Sequence, residues 1–570
     1  MFDMPPLTGR DAIIIPSEYE TRRHIVLLNE YKDATLKLEG APKGVTLDGK
    51  LLTIRSSVAF SATFKVKAEI AGSCDYLPIE VIKDETLRDT PRSPREKEGW
   101  TLFYEEDFDG NDIDPEFWSP YYLRGWSNDE MAKAEYSVRD GYLGISCSEG
   151  RANWSAKDGE HRVSSIQTFE RRHLHRFGEV TGARNIATFD GLATKYGYFE
   201  IRARFPDTGD GSHFAWWMIG VQDDQHESAT VNGVEYPIGD WSNQTAEFDV
   251  IEQTLDRDCL DLDIDIWRPV LHPNGTRDIQ YLWVPPVKIE MSAAHEFHTY
   301  GLEWDENGTK FYLDGNLTAV TDRTPTYRMM TLFSVYGGVR GKKYGYGTDR
   351  GIYPKEVLID YFRIWKRDIP KKPCSVRFSE WAHPEYLHIP EKGRSLACEV
   401  YSETDELLDD LVVTWSLSSD IGGRESAIVK GASIDPKSGV ISVSEDAKED
   451  TDIFVSALTD NGHRGVKHIK LSKATPYPSY LMFKDKTVRA KAGDEIMLNA
   501  VMFNQYGEET ASTIVYQISE DLTGNAIKDV PFLKLNGDRL MISDDAVSGK
   551  YVITAFCGEF VAHTLIVLGE

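Results

Sequence analysis

Short runs in which apolar and polar residues alternate, separated by Gly and Asp turns, recur along this chain. A period of two marks strands with one buried face, so the pattern predicts an all-β protein. Before residue 83, runs such as His24-Ile25-Val26-Leu27-Leu28 and Phe64-Lys65-Val66-Lys67-Ala68-Glu69-Ile70 predict a small β-sandwich over 1–83. Within it, residues 45–54 read as a hairpin whose Asp48-Gly49 pair suits a type I′ turn. Residues 84–99 are charged, contain Pro91 and Pro94 and show no apolar period, which predicts a linker. One large all-β domain is expected over 100–368, ended by the break at Ile369-Pro370-Lys371-Lys372-Pro373. Two further β-modules follow, at 374–472 and 477–570, and they look like distant copies. Thr414-Trp415-Ser416-Leu417 in the first corresponds to Tyr516-Gln517-Ile518 in the second, and Asp452-Ile453-Phe454-Val455-Ser456-Ala457 to Tyr551-Val552-Ile553-Thr554-Ala555-Phe556. These boundaries lie in polar linkers that few packing contacts are expected to cross.

Composition narrows the function classes. A chain of 570 residues, 41% hydrophobic, can bury several cores, and about 150 residues per domain suggests three or four. Its 92 acids against 64 bases give a net charge of −28, a field that repels nucleic acids, anionic membranes and heavily sulfated glycans, so a neutral partner is expected. No apolar run reaches the length of a membrane span, and the N-terminus lacks the basic and apolar regions of a signal peptide. Six scattered cysteines show neither zinc-like spacing nor a dense disulfide framework, which leaves one or two bridges open.

The chemistry is concentrated in Ala246-Glu247-Phe248-Asp249-Val250-Ile251-Glu252-Gln253, a strand-like run carrying three acids. Glu247 and Asp249 share one face of a regular strand, while Phe248 and Val250 take the other. Glu252 falls on the wrong face unless a β-bulge, most simply at Val250-Ile251, inserts one extra residue. With the bulge, Glu247 and Glu252 suit the two carboxylates of a retaining glycosidase, which lie about 5–5.5 Å apart. A flat strand would hold them roughly 13 Å apart at ~3.3 Å per residue, so the sheet must curve and the side chains lean together. Asp249 between them suits a helper that hydrogen-bonds the nucleophile and resists ionisation of its neighbour. The competing reading is a solvated acidic face of an amphipathic strand.

These residues resemble the E-x-D-x-x-E signature of glycoside hydrolase family 16. Ordered support comes from Glu105-Glu106-Asp107-Phe108-Asp109-Gly110, Tyr196-Gly197-Tyr198-Phe199-Glu200-Ile201-Arg202, Phe297-His298-Thr299-Tyr300-Gly301-Leu302-Glu303-Trp304, Phe311-Tyr312-Leu313-Asp314-Gly315 and Leu358-Ile359-Asp360-Tyr361-Phe362-Arg363-Ile364-Trp365. The resemblance implies a β-jelly-roll sandwich flanked by immunoglobulin-like modules. It implies Glu247 as nucleophile, Asp249 as its helper and Glu252 as acid/base, acting without a required cofactor on internal β-linkages of a polysaccharide or oligosaccharide outside the cell.

Where many relatives read W-P-A-F-W, this chain reads His213-Phe214-Ala215-Trp216-Trp217, so His213 replaces a groove tryptophan and substrate identity stays open. The candidates are a β-glucan, a β-galactan and host glycans with internal β-galactosides, with transglycosylation and non-catalytic glycan binding as rivals. Trp217 reads as a sugar platform or as core, Trp241 as a groove residue or a loop anchor, and His272 as a neighbour of the acid or a structural histidine. The resemblance also points to a structural calcium on Asp107, Gly141 and Asp360, against acids that merely cap strand ends. The flanking modules read as spacers or sugar binders.

Overall fold

A computed structural model describes residues 13–15, 21–25, 27, 31–55, 57–59, 61–81, 89–156, 161–170, 186–205, 213–221, 228–231, 234–237, 246–254, 259–266, 268–271, 277–280, 287–288, 296–321, 324–325, 328–338, 353–369, 371–378, 384–409, 411–418 and 429–569. The chain is nearly all β. No helix among the described residues is long and apolar enough to cross a membrane.

The central region is a two-sheet sandwich. Its strands are β1 (Trp100–Glu106), β2 (Glu135–Arg139), β3 (Tyr142–Cys147), β4 (His161–Gln167), β5 (Gly197–Arg204), β6 (His213–Gly220), β7 (Ala246–Thr254), β8 (Cys259–Ile266), β9 (His298–Asp305), β10 (Gly308–Leu313), β11 (Asn316–Thr321), β12 (Met329–Gly338) and β13 (Lys355–Arg367). One sheet runs β11-β10-β9-β5-β13-β3-β2, with β1 also on β13; the other runs β4-β12-β6-β7-β8. Alternation drives the inward residues of both sheets into one core, including Phe199 and Ile201, Phe214 and Trp216, Phe248, Trp304, Phe333 and Phe362. Each such aromatic contributes about 1.5–3 kcal/mol on burial. Tight hairpins close the edges. Asp140-Gly141 between β2 and β3 and Asp314-Gly315 between β10 and β11 both take positive φ at two successive positions, as a type I′ turn requires.

The hairpin expected at 45–54 forms, but its register pairs Asp48 with Leu51. The turn is therefore Gly49-Lys50. Only Gly49 has positive φ, so the expected type I′ turn at Asp48-Gly49 is not the one made; the type would place a Cβ-bearing lysine in the left-handed region.

The other parts have their own cores, around Ile25, Leu52, Val66 and Ile79 before the sandwich, Trp415, Ile453 and Ile469 after it, and Met502, Leu540 and Ile553 at the end. The last two share one strand plan: a four-stranded sheet with a parallel pair, a three-stranded sheet and a two-stranded pair. Internal similarity read from the sequence is thus matched by topology.

Contacts between parts depart from the expectation. Residues 89–99 are laid along the sandwich: Thr90 N–H donates to Phe297 O, Ser93 N–H to Tyr361 Oη, and the Trp365 indole to Arg95 O. Lys97 sits 3.5 Å from the centre of the Tyr198 ring. Their charges bind specific partners, which is why no apolar period announced them. Asp405 of the middle module keeps about 12% of its side chain exposed and accepts from Thr194 and Arg377, with Lys366 Nζ 3.4 Å away. Its burial would raise its pKa, but Lys366 and Arg377 outweigh that and hold it low.

Candidate functional site

Strand β7 positions the three acids. Against β6 the register pairs Ile219 with Glu247, Met218 with Phe248 and Trp217 with Asp249, then skips Val250 and resumes with Trp216 opposite Ile251 and Ala215 opposite Glu252. Against β8 it likewise shifts between Asp249 and Glu252. One extra residue turns Phe248, Val250 and Ile251 all into the core, because the bulge breaks the period of two for one step. Glu247, Asp249 and Glu252 therefore share the face of β6 that carries Ala215, Trp217 and Ile219.

Glu247 and Asp249 are buried, whereas the Glu252 side chain keeps about 20% of its surface. Buried carboxylates are costly unless they are paired or hydrogen-bonded. His213, expected as a substrate contact, instead lies buried with Nε2 3.0 Å from Glu252 Oε1. Its ring packs 5.0 Å from that of Tyr336. A histidine so placed fixes the Glu252 carboxyl in direction and can exchange a proton with it.

Trp217 is buried; its indole donates to Ser334 Oγ at 2.8 Å, which in turn donates to Ser165 Oγ. It belongs to a second apolar cluster, with Tyr122, Leu123, Trp126, Trp154, Leu332 and Tyr336, on the acid-bearing side of β6 and β12. Of its two readings the core one fits this burial: the ring supports a wall rather than offering a free platform. Trp241 and His272 lie outside the described residues.

Sequence reasoning passed over β8. Its ladder sets Asp265 opposite Glu247, Asp263 opposite Asp249 and Asp261 opposite Glu252. The signal was present as an acid at every second position of Leu260-Asp261-Leu262-Asp263-Ile264-Asp265-Ile266.

On the outer face of the other sheet, Asp107, Gly141 and Asp360 do not fit a cation. The register between β5 and β13 skips Asp360, and its carboxylate accepts from Arg92 at 2.6 and 2.9 Å and from Arg202 at 2.7 Å. Asp107 accepts from Arg95 at 2.6 Å and Arg363 at 3.1 Å. Hydrogen bonds to Asp360 raise the Arg92 pKa, and bonds to Glu105 and Asp107 raise that of Arg95. Four guanidinium groups already supply the positive charge that calcium would bring, and Gly141 serves a hairpin turn. Cys74, Cys147, Cys374, Cys398 and Cys557 carry free thiols.

No family model matches the chain. It is 25% identical over 304 residues to glucan endo-1,3-beta-glucosidase A1 of Niallia circulans, covering 47% of this chain and 38% of that one. It is also 25% identical over 293 residues to a beta-glucanase of Rhodothermus marinus, covering 47% and 85%. Among solved structures it aligns with the GlcNAcα1-4Gal releasing endo-β-galactosidase of Clostridium perfringens at 24% identity and a TM-score of 0.41, over 68% of this chain and 97% of that one. The chain thus spans little more than a third of the length of the first of these relatives and most of the second. With the ordered motifs and the bulged acid-bearing strand, these sequence matches bear out the chain's resemblance to the glycoside hydrolases of family 16.

Proposed function

We propose that this protein is an endo-acting, retaining glycoside hydrolase that cleaves internal β-linkages of a neutral polysaccharide outside the cell. The observation that carries the reading is the skipped Val250, which puts Glu247, Asp249 and Glu252 on one face with Glu252 against His213.

In the first step Glu247 attacks the anomeric carbon as Glu252 gives its proton to the departing glycosidic oxygen, leaving a glycosyl ester on Glu247. In the second step Glu252, now a base, takes a proton from water, whose oxygen displaces Glu247; two inversions give net retention. Asp249, between the two, restrains the nucleophile and by its charge favours a protonated Glu252. His213 holds Glu252 in place through both steps. The greater exposure of Glu252 suits a group that meets water, and the deeper burial of Glu247 suits one that meets only sugar.

The curated relatives named for β-glucan hydrolysis support a glucan as the first substrate to try. A panel of β-1,3-glucan, mixed-linkage glucan, neutral galactan and a host-type β-galactoside glycan, with products sized over time, tests the reading. Rapid fall in polymer length with oligosaccharide products is the expected outcome on at least one of them. Release of single sugars from chain ends, or binding with no cleavage on the whole panel, would overturn it.

A further inference from the structure

The wall of the acid-bearing face is held from outside the sandwich. Segment 121–126 lies on that face: Tyr122 packs edge-on against Trp154 at 4.8 Å and Trp217 at 6.2 Å, and Trp217 is the register partner of Asp249. The segment is strained, since Leu123 has φ 40° and ψ 45°. A left-handed conformation in a branched residue costs on the order of 1–3 kcal/mol and persists only where its surroundings enforce it.

The sandwich holds the backbone here through Tyr122 N–H to Ala132 O and Arg124 N–H to Glu170, and the C-terminal module, some 400 residues later in the chain, holds the side chains on either side of Leu123. Tyr121 Oη donates to Asp521 Oδ2 at 2.5 Å, and Arg124 Nη1 donates to Leu522 O at 3.0 Å. The same guanidinium pairs with buried Glu170 at 3.0 Å, so one side chain ties the wall to both parts. Beneath it, Leu522, Val552 and Leu565 of the module close over Phe189 of the sandwich. At the flank Lys550 Nζ reaches both Asp114 oxygens at 2.6 and 2.7 Å and Glu116 at 2.8 Å, and Asn525 donates to Asp129. Buried apolar contact and charged hydrogen bonds together define a fixed dock rather than a tether.

We infer that the C-terminal module is a positioning element of the substrate groove: through Asp521 and Leu522 it fixes Tyr121 and Arg124, and with them the wall beside Asp249. The inference rests on the reading of that face as the groove. It assigns the module a part in substrate affinity, with the chemistry itself left to β7. Tyr121 and Asp521 are thus positioning residues that act through Tyr122 and Trp217.

The test uses the full chain with Tyr121→Phe, Asp521→Asn and Lys550→Glu, the last placing an acid among Asp114 and Glu116 at a half-exposed site. KM on soluble β-1,3-glucan, or on the polymer the panel selects, should rise roughly tenfold in Lys550→Glu, the loss expected for a few charge-assisted bonds, with kcat within about twofold. Binding of that polymer to the same variants carrying Glu247→Gln should weaken in parallel. Hydrogen exchange should accelerate in peptides spanning 117–126 and 154, while the core of the module stays protected and the melting temperature moves little. Unchanged KM and unchanged exchange at 117–126 would overturn the inference, as would a fall in kcat at constant KM. Exchange reports on the dock without any substrate, so a wild-type protein inactive on every glycan would count against the proposed function alone.

Discussion

The two sheets of the sandwich each bury carboxylates, and they treat them differently. On the outer face Asp107 and Asp360 sit among Arg92, Arg95, Arg202 and Arg363, each acid bonded by at least two guanidiniums. On the other face the ladder gives Glu247, Asp249 and Glu252 apolar neighbours on β6 and aspartates on β8, and the base against Glu252 is a histidine. Arginine stays charged at any working pH, so it locks a carboxylate in its ionised form; histidine does not. The outer acids are braces held by arginine, and the inner acids line one face of β7 with a histidine against Glu252.

The largest effect that would sharpen this contrast is at Glu247. Glu247→Gln should lower turnover by at least about a thousandfold with an unchanged melting temperature, since a removed nucleophile has no substitute. Residual activity within tenfold of wild type would place the chemistry elsewhere. Next, Glu252→Ala should slow cleavage of polymer by about a hundredfold to ten-thousandfold, and much less for aryl glycosides that leave without protonation. Azide should restore part of the rate by attacking the ester intermediate. Equal losses on both kinds of substrate would remove Glu252 from the acid role.

The outer face should answer in the opposite way. Arg363→Met removes the Asp107 bond, the bond to Ser93 O and the stacking 4.0 Å over Tyr361. It should cost about 3–5 kcal/mol of stability and leave kcat unchanged. Chelator should not lower the melting temperature of the wild type, because guanidinium already occupies both carboxylates; a marked drop would restore calcium to this face.

A smaller effect concerns pH. Burial lowers the His563 pKa to about 3 and that of His463 to about 4, against about 6.5 unfolded. The unfolded chain therefore takes the proton first. Stability from each neutral ring is complete above about pH 6.5 and is lost as pH falls toward the folded value, at about 1.4 kcal/mol per pH unit for each histidine. Urea midpoints from pH 7 to 4.5 should fall, and His563→Gln should flatten part of the slope. A midpoint that rises on acidification would reverse the sign argued here.

Much of this was legible in sequence, for local reasons. Alternation marks strands, and the odd spacing of Glu252 marked the bulge because two faces leave a displaced acid one remedy. The run 84–99 was read as a free linker because its partners are distant: Arg92 meets Asp360 across 268 positions, and such charge pairing leaves no period. Trp217 was undecided because alternation gives its face without saying that Tyr122 and Trp154 would cover it. The docking of the C-terminal module was invisible for the same reason. Tyr121 and Asp521 each look like ordinary turn or surface residues until the fold brings them together.

In the proposed mechanism Glu247 forms a covalent bond to the sugar. Incubating the full chain with an activated 2-deoxy-2-fluoro glycoside of the substrate class that the panel selects should trap the ester, since the fluorine slows its hydrolysis more than its formation. Intact mass should rise by one fluorosugar, and peptide mapping should place it on Glu247. An adduct on another residue, or no adduct from an active enzyme whose first-formed product has inverted anomeric configuration, would contradict the account.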